Sequence, residues 1–196
     1  MTDDLLERAV AYLLAVLPDI VPDLSAPTSC HGWNTRMLLA HVDESIAALR
    51  EGLAGGQVRL TPGAPMRNCA GTLHIRSRAE ALLGDWANEH PEPVVVFGKP
   101  VSARVLGTVG ALELTIHAWD LTAAAPAAPT IPDRLARELL NVAPKLVPVA
   151  DRWPLFAPPI EPPTAAPSDR LLAYLGRTQP SHRHSQPQHY GISHTQ

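Results

Sequence analysis

Cysteine and lysine are both scarce in this sequence, and each shortage argues against certain classes of function. There are two cysteines in 196 residues, and neither lies in a C-x-x-C pair, so we expect neither a disulfide framework nor a cysteine-pair redox or zinc motif. Only Lys99 and Lys145 are lysines among 16 basic residues, and the net charge is −3. That charge gives no electrostatic footprint for nucleic acid or an anionic membrane, so we expect neither as a partner.

We expect neither a targeting segment nor a membrane span. The chain begins Met1-Thr2-Asp3-Asp4, which is acidic and has no basic region of the kind that opens a signal peptide, so we expect a cytoplasmic protein. One stretch, 105–124, is apolar enough to suggest a span. Three ionisable residues lie on one stripe of it and no second long apolar segment exists, so we interpret it as a buried helix.

The composition is that of a folded protein with one ordinary domain. Hydrophobic residues make up 45% and charged residues 18%, which is typical of a globular chain. We assign the domain to residues 1–177. Residues 178–196 are Ser, Gln, His and Pro with almost nothing to bury, so we expect a disordered tail. The dominance of Arg, with abundant Ala and Pro, indicates a GC-rich genome.

Apolar residues recur at helical spacing along most of the chain, which predicts an all-α fold. Asn34 or Thr35 is the expected cap of the second helix, Thr2 that of the first, and Thr130 opens a capping box for the fifth, which Pro144 and Pro148 then kink or divide. A surface loop is expected over 54–71. Predicted helices cover 3–17, 34–53, 72–89, 102–124, a fifth from about 131 and a short sixth over 168–175, with an extended segment at 94–101.

The fourth helix carries the informative side chains. From 105 to 124 its only ionisable residues are Glu113, His117 and Asp120. At about 100° per residue, His117 lies about 40° from Glu113 and Asp120 about 20° to its other side, so the three share one narrow stripe. Leu106, Val109 and Ile116 are on or near that side, so we expect the stripe to face the core.

A buried carboxylate needs compensation, and a metal ion is one source of it. Glu113 and His117 at i, i+4 place an oxygen and a nitrogen close enough to share one ion. His41 lies on the inner arc of the second helix and supplies a third ligand, which leaves positions open for water or substrate. Two simpler interpretations stay open: His41 as a satisfied core histidine, and Glu113 with His117 as an ion pair without a metal.

Several motifs resemble one known family. PTSCHGW at 27–33 and LLAH at 38–41 resemble the signature that opens the second helix of the mycothiol-dependent maleylpyruvate isomerase N-terminal family, within the DinB-like metal-binding superfamily. ELTIHAWDL at 113–121 is similar to its second signature. FAPP at 156–159 and DRLLAYLGR at 169–177 resemble the close of short members.

This resemblance implies a DinB-like four-helix bundle, here with short extra C-terminal helices, that binds one divalent metal. Zinc is the expected ion, nickel or iron being alternatives, and its ligands would be His41, Glu113 and His117. Relatives use low-molecular-weight thiols, and mycothiol would be available in an actinobacterium, which the codon bias suits. The implied activity is a thiol-dependent isomerisation or S-transfer on a small molecule; whether the protein is a homodimer remains open.

Three other functions remain open at this point. One is a thiol-independent metalloenzyme of a secondary-metabolite pathway that catalyses rearrangement, cyclisation or hydrolysis. Another is an oxygenase, since two His and a carboxylate can also hold non-haem Fe(II). The third is a non-catalytic metal- or ligand-binding protein. The sequence departs from the family pattern at Ser29 and His31. We interpret Cys30 as a packing residue, because nothing in the sequence places a base beside it, and we expect Asp120 to orient His117 or His41.

Overall fold

Helices form most of the chain, as the sequence predicts. The computed structural model describes residues 4–20, 23–59, 71–122, 130–150, 152 and 156–177. The all-α fold with a small extended segment is confirmed. The elements are α1 (Leu5–Val16), a 3-10 turn (Leu17–Asp19), α2 (Thr35–Gly55), β1 (Gln57–Val58), α3 (Thr72–Ala87), β2 (Val94–Val96), β3 (Lys99–Val101), α4 (Ala103–Thr122), α5 (Asp133–Leu146) and α6 (Pro167–Tyr174).

Helices α1 to α4 make one bundle. Helix α4 packs against α1 and α2, while α3 closes the other side of α1 and α2. Leu114 and Ile116 of α4 are almost fully buried, in a core that continues through Leu13, Ile46 and Leu82. α5 and α6 pack on each other at the edge of this bundle. Within the described residues, no helix is both long enough and apolar enough to cross a membrane.

Small residues on α4 allow α2 to approach closely. A Cβ on Gly110 would lie 2.6 Å from the side chain of Leu49, so only glycine fits at that crossing without movement. The same is true of Gly52, where a Cβ would lie 2.7 Å from Leu106. Leu49 faces Gly110 and Gly52 faces Leu106, so the two helices run antiparallel. This register brings the start of α2 beside the end of α4.

The extended segment predicted at 94–101 forms two strands of a three-stranded sheet, and β1 supplies the third. β1 pairs with β2 in parallel and β2 pairs with β3 antiparallel, with Val96 opposite Lys99. Phe97 and Gly98 form the two-residue turn, and both have positive φ, 50° and 73°. Two-residue hairpins favour this conformation because its twist matches that of the strands.

Some local expectations were wrong. The expected loop over 54–71 contains the end of α2 and the strand β1; residues 60–70 lie outside the described part. The cap residue of α1 is Asp4, not Thr2, and that of α5 is Pro132. Neither donates or accepts a side-chain cap hydrogen bond. The capping box predicted from Thr130 therefore does not form.

The predictions for Val109 on α4 and for the two prolines near the end of α5 also differ in part from the structure. Val109 is 44% exposed, so the expectation that it faces the core was wrong, whereas Leu106 and Ile116 are buried. Pro144 lies inside α5 without dividing it, and Pro148 follows the helix end. The expected disordered tail, 178–196, lies outside the described residues.

Candidate metal centre

The loop before α2 brings a thiol and an indole to the end of the bundle. The Trp33 backbone N–H donates to the Cys30 carbonyl at 3.1 Å and closes a turn. Gly32 occupies the third position of this turn with φ 76°, the conformation a type II turn requires there. Asn34 Oδ1 then accepts from the Met37 N–H at 3.0 Å, which caps α2 as the sequence predicts.

The three predicted ligand residues lie together at the α2–α4 crossing. His41 comes from α2, and Glu113 and His117 come from α4. Glu113 Oε1 is 2.9 Å from His41 Nε2 and 3.6 Å from His117 Nε2. The two imidazole rings are perpendicular, with centroids 4.7 Å apart. One ligand atom from each residue lies within 4.8 Å of the other two, a separation that one ion could bridge.

One side of this cluster is open to solvent. The side chains of His41 and Glu113 are 29% and 33% exposed, while that of His117 is 12% exposed. Trp33 lies against the cluster, with its ring centroid 5.0 Å from that of His41 and 6.5 Å from that of His117. A cavity of about 400 Å³ lies beside the motif loop and is lined by residues 25 and 27–34, which do not include the three ligand residues. Solvent reaches the ligand atoms through the partly exposed side chains of His41 and Glu113.

Asp120 lies behind His117 at the centre of a second set of contacts. Its fully buried carboxylate has Oδ2 3.2 Å from His117 Nδ1. The Cys30 thiol donates to the same oxygen at 3.1 Å. Arg177 donates twice to the carboxylate, from Nε to Oδ1 at 3.3 Å and from Nη2 to Oδ2 at 3.1 Å. His117 therefore faces Glu113 with one ring nitrogen and Asp120 with the other.

These contacts shift the pKa values of Glu113 and His117 in opposite directions. Burial raises the pKa of Glu113, but hydrogen bonds from His117 and His41 outweigh it and hold that pKa well below its usual range. Burial lowers the pKa of His117, whereas its hydrogen bonds with Asp120, Cys30 and Glu113 raise it to about 11. Two carboxylates thus favour positive charge at His117.

The Asp120–Arg177 pair behaves in the same way. Burial raises the pKa of Asp120, but the hydrogen bond from His117 and the charge of Arg177 lower it below its usual range. Burial lowers the pKa of Arg177, and the charge of Asp120 more than offsets that effect. Both groups are therefore ionised, and Asp120 already has a permanent cation beside it.

The donor atoms fit a divalent metal at one of two overlapping groups. The first is His41, Glu113 and His117; the second is Cys30, His117 and Asp120. In the second group the guanidinium of Arg177 already pairs with Asp120 and lies 3.8 Å from the Cys30 sulfur. A second cation there would meet a like charge. The first group has two imidazole nitrogens, a carboxylate and an open side, the donor set of catalytic zinc sites.

Two residues that contact the site, Cys30 and Arg177, were not predicted from the sequence to do so. Cys30 lies beside His117 and Asp120, a contact that nothing in the sequence indicated. Arg177 was predicted only as part of a C-terminal motif, with no role. No periodicity links either residue to α4, since Cys30 is in a loop and Arg177 is 57 positions from Asp120.

Comparison with known proteins identifies the family. The family described as "Mycothiol maleylpyruvate isomerase N-terminal domain" matches residues 4–122, which include α1 to α4 and all of His41, Glu113, His117 and Asp120. The chain belongs to this family. The resemblance seen in the two His-bearing motifs is thereby confirmed. Arg177 lies outside the matched residues, so the mycothiol maleylpyruvate isomerase N-terminal domain alone does not account for the whole site.

Curated relatives show how far along the chain the similarity extends. Uncharacterized proteins from two strains of Mycobacterium tuberculosis are each 28% identical to it over 188 residues, covering 88% of this chain and 95% of the relative. The similarity therefore extends beyond the family domain into the C-terminal helices. No solved structure matches the chain significantly.

Proposed function

We propose that this protein is a metal-dependent enzyme that acts on a small molecule with the help of a low-molecular-weight thiol. In this proposal His41, Glu113 and His117 hold one divalent ion, with zinc as the expected metal. The observation that carries it is the convergence of these three donors, from two helices, on one partly open point. The reaction class is thiol-dependent isomerisation or S-transfer in the cytoplasm, and mycothiol is the thiol that the family description supports.

A metal ion at this point would lower the pKa of a coordinated thiol or polarise a substrate carbonyl. The chain's own residues serve that chemistry in distinct ways. Asp120 accepts a hydrogen bond at His117 Nδ1, which directs Nε2 toward Glu113 and His41. Before Nε2 can act as a ligand, His117 must release the second proton that it holds in the metal-free protein. Trp33 shields one side of the two imidazole rings and leaves the other side to the substrate.

Cobalt-substituted protein tests the thiol. A sulfur-to-cobalt charge-transfer band arises only when a thiolate coordinates, so its appearance reports thiol binding directly. We expect mycothiol to produce the band at low concentration and mercaptoethanol only at much higher concentration, because the sugar portion of mycothiol adds binding energy. Among the described residues, Cys30 has the one thiol near His117, and it could itself give a band with cobalt. Cobalt-loaded Cys30→Ser is the control for that band.

The other outcomes each select a different function. If mycothiol and mercaptoethanol produce the band only at equally high concentrations, the metal has a generic open position and the enzyme is thiol-independent. A cobalt-loaded protein with no band for either thiol would contradict the thiol role and leave Lewis-acid catalysis or a non-catalytic metal-binding protein. A His41→Ala variant that binds cobalt as the wild type does would contradict the metal site itself.

A further inference from the structure

Arg177 is the one residue from outside the family domain that the described structure brings onto Asp120. We propose that Arg177 is a positioning residue for the metal centre: it fixes the Asp120 carboxylate, and Asp120 in turn fixes the ring of His117. The inference rests on the proposed metal site and adds to it a component from the C-terminal segment.

The end of α6 is built to place Arg177. The Arg177 N–H donates to the Leu172 carbonyl at 2.8 Å and the Gly176 N–H to the Ala173 carbonyl at 3.1 Å. This pair of bonds is the Schellman motif, in which glycine adopts the left-handed conformation just after the helix. Gly176 has φ 72°, and a Cβ there would lie 2.7 Å from the Ala157 carbonyl oxygen. The chain therefore reverses at Gly176 in one defined way and directs residue 177 back to the bundle.

The Arg177 side chain is held at both its face and its edge. Its guanidinium lies over the Phe156 ring, 5.3 Å from the centroid, and Nη1 donates to the Leu175 carbonyl at 3.1 Å. The remaining nitrogens, Nε and Nη2, form the two bonds to Asp120. Only 8% of the side chain is exposed. A planar fork that bonds both oxygens sets the plane of a carboxylate, which a single bond cannot do.

The carboxylate orientation decides which nitrogen of His117 faces the metal. Asp120 Oδ2 receives Arg177 Nη2, Cys30 Sγ and His117 Nδ1, all at 3.1–3.2 Å. With Oδ2 held in this position, the Nδ1–H of His117 has a fixed acceptor and Nε2 keeps its lone pair for the ion. Without Arg177, neither oxygen of Asp120 would keep its bond from the guanidinium, and the carboxylate would be free to rotate. Rotation would remove the fixed acceptor for Nδ1–H.

Zinc affinity and the His117 tautomer test this relay in the full-length protein. Arg177→Met keeps a long apolar stem and removes all five donors, and Arg177→Lys keeps the charge but loses the fork. We expect Arg177→Met to weaken zinc binding about tenfold or more, the range found for groups that orient a ligand, and Arg177→Lys to lie between it and the wild type. Arg170→Met is the control: it changes an exposed arginine of α6, the helix that precedes Arg177, and should leave zinc affinity unchanged.

Two further measurements separate positioning from general stability. Long-range ¹H–¹⁵N correlation of the zinc-loaded protein should show His117 protonated at Nδ1 in the wild type and in Arg170→Met, with a mixed or shifted signature in Arg177→Met. Asp120→Asn should also weaken zinc binding, and Arg177→Met should add little in that background because both act through one carboxylate. A merely structural arginine would lower the melting temperature of each protein additively and leave the tautomer unchanged.

The contradicting results are specific. Zinc affinity within twofold of wild type in folded Arg177→Met, or losses that add fully with Asp120→Asn, would overturn the inference. If Arg177→Met does not fold, Arg177→Lys decides: wild-type affinity together with a wild-type tautomer would reject the relay. The proposed metal site fails separately, and only when His41→Ala and His117→Ala bind zinc as tightly as the unmodified protein.

Discussion

His117 connects the two halves of the site, because each of its ring nitrogens faces a different carboxylate. Glu113 lies on the open side with His41, and Asp120 lies on the buried side with Arg177. This asymmetry gives the residues different roles. Changes on the open side should alter binding of the ion itself, whereas changes on the buried side should act through the orientation of one ring.

Substitution of the two proposed histidine ligands should abolish metal binding and leave the fold largely intact. We expect His41→Ala and His117→Ala each to lose stoichiometric zinc while the helical circular dichroism signal largely survives, because the surrounding core is apolar and does not include these side chains. Glu113→Gln should weaken binding less, since its amide oxygen is still a poor ligand. Elemental analysis of the purified variants is the measurement. A full equivalent of zinc in either alanine variant would contradict the assignment.

Zinc affinity should rise with pH. In the metal-free protein the pKa of His117 is raised to about 11, so at neutral pH this residue carries a proton that zinc must displace. One displaced proton corresponds to about tenfold tighter binding per pH unit between about pH 6 and 8. Chelator competition at several pH values measures the slope. Affinity that does not change over this range would show that His117 is not protonated there.

The same pKa values set the stability of the metal-free protein. The raised pKa of His117 means that its contribution is complete below its unfolded value of about 6.5 and is lost as pH rises toward 11. The lowered pKa values of Glu113 and Asp120 act in the opposite sense, with stability lost in acid. The melting temperature of metal-free wild type should therefore decline from pH 6.5 to 9.5 more steeply than that of His117→Gln. Parallel curves would contradict this.

At the scale of elements, the α2–α4 crossing sets the distance between His41 and the α4 ligands. Gly110→Ala would place a methyl group 2.6 Å from Leu49, so we expect a lower melting temperature and weaker zinc binding in spite of alanine's higher helix propensity. Gly84→Ala in α3 is the matched control, since a Cβ there meets nothing within 4 Å. It should raise stability by about 0.5–1 kcal/mol and leave zinc affinity unchanged.

Thermal denaturation and zinc competition on the two glycine variants decide this point. Equal behaviour of Gly110→Ala and Gly84→Ala would show that Leu49 moves aside at no cost. Loss of stability without loss of zinc affinity would show that the crossing distance does not control the site.

The helices themselves were predictable from the sequence because apolar spacing reports burial directly. Glu113 and His117 were detectable for the same reason, as polar residues at i, i+4 in an apolar helix, and so was His41. The pattern was misleading at Val109, which is exposed although Leu106 and Ile116 on the same side of the helix are buried. The capping prediction at Thr130 was wrong because α5 begins at Asp133, with Pro132 as its cap residue. Proline has no side-chain acceptor for the N–H groups of the first turn and no backbone N–H of its own, so neither half of a capping box can form there.

Contacts between residues far apart in the chain could not be predicted from the spacing of residues in the sequence. Cys30 and Arg177 reach Asp120 from a loop and from a helix end, where no repeat reports which way a side chain points. The glycine at 176 was the available signal, since a glycine just past a predicted helix indicates a Schellman motif that reverses the chain. That signal predicts a turn at Arg177 but not its partner, which depends on how α6 packs.

For the whole molecule, residues 178–196 should be dispensable. They contain few apolar side chains with which to offset the entropy of ordering. Deleting them should leave the melting temperature within about a degree or two, because Arg177, the last residue of the described contacts, is retained. A drop of more than about 5 °C would show that this segment stabilises the bundle.

The central claim is that one divalent ion binds between His41, Glu113 and His117. A crystal structure of the protein as purified, with diffraction data on both sides of the zinc absorption edge, tests it most directly. The account predicts a single strong anomalous peak about 2.0–2.2 Å from His41 Nε2, Glu113 Oε1 and His117 Nε2, with at least one further position open to solvent. An anomalous peak between Cys30 and Asp120, or a well-ordered His41–Glu113 pair with no peak in zinc-replete crystals, would contradict it.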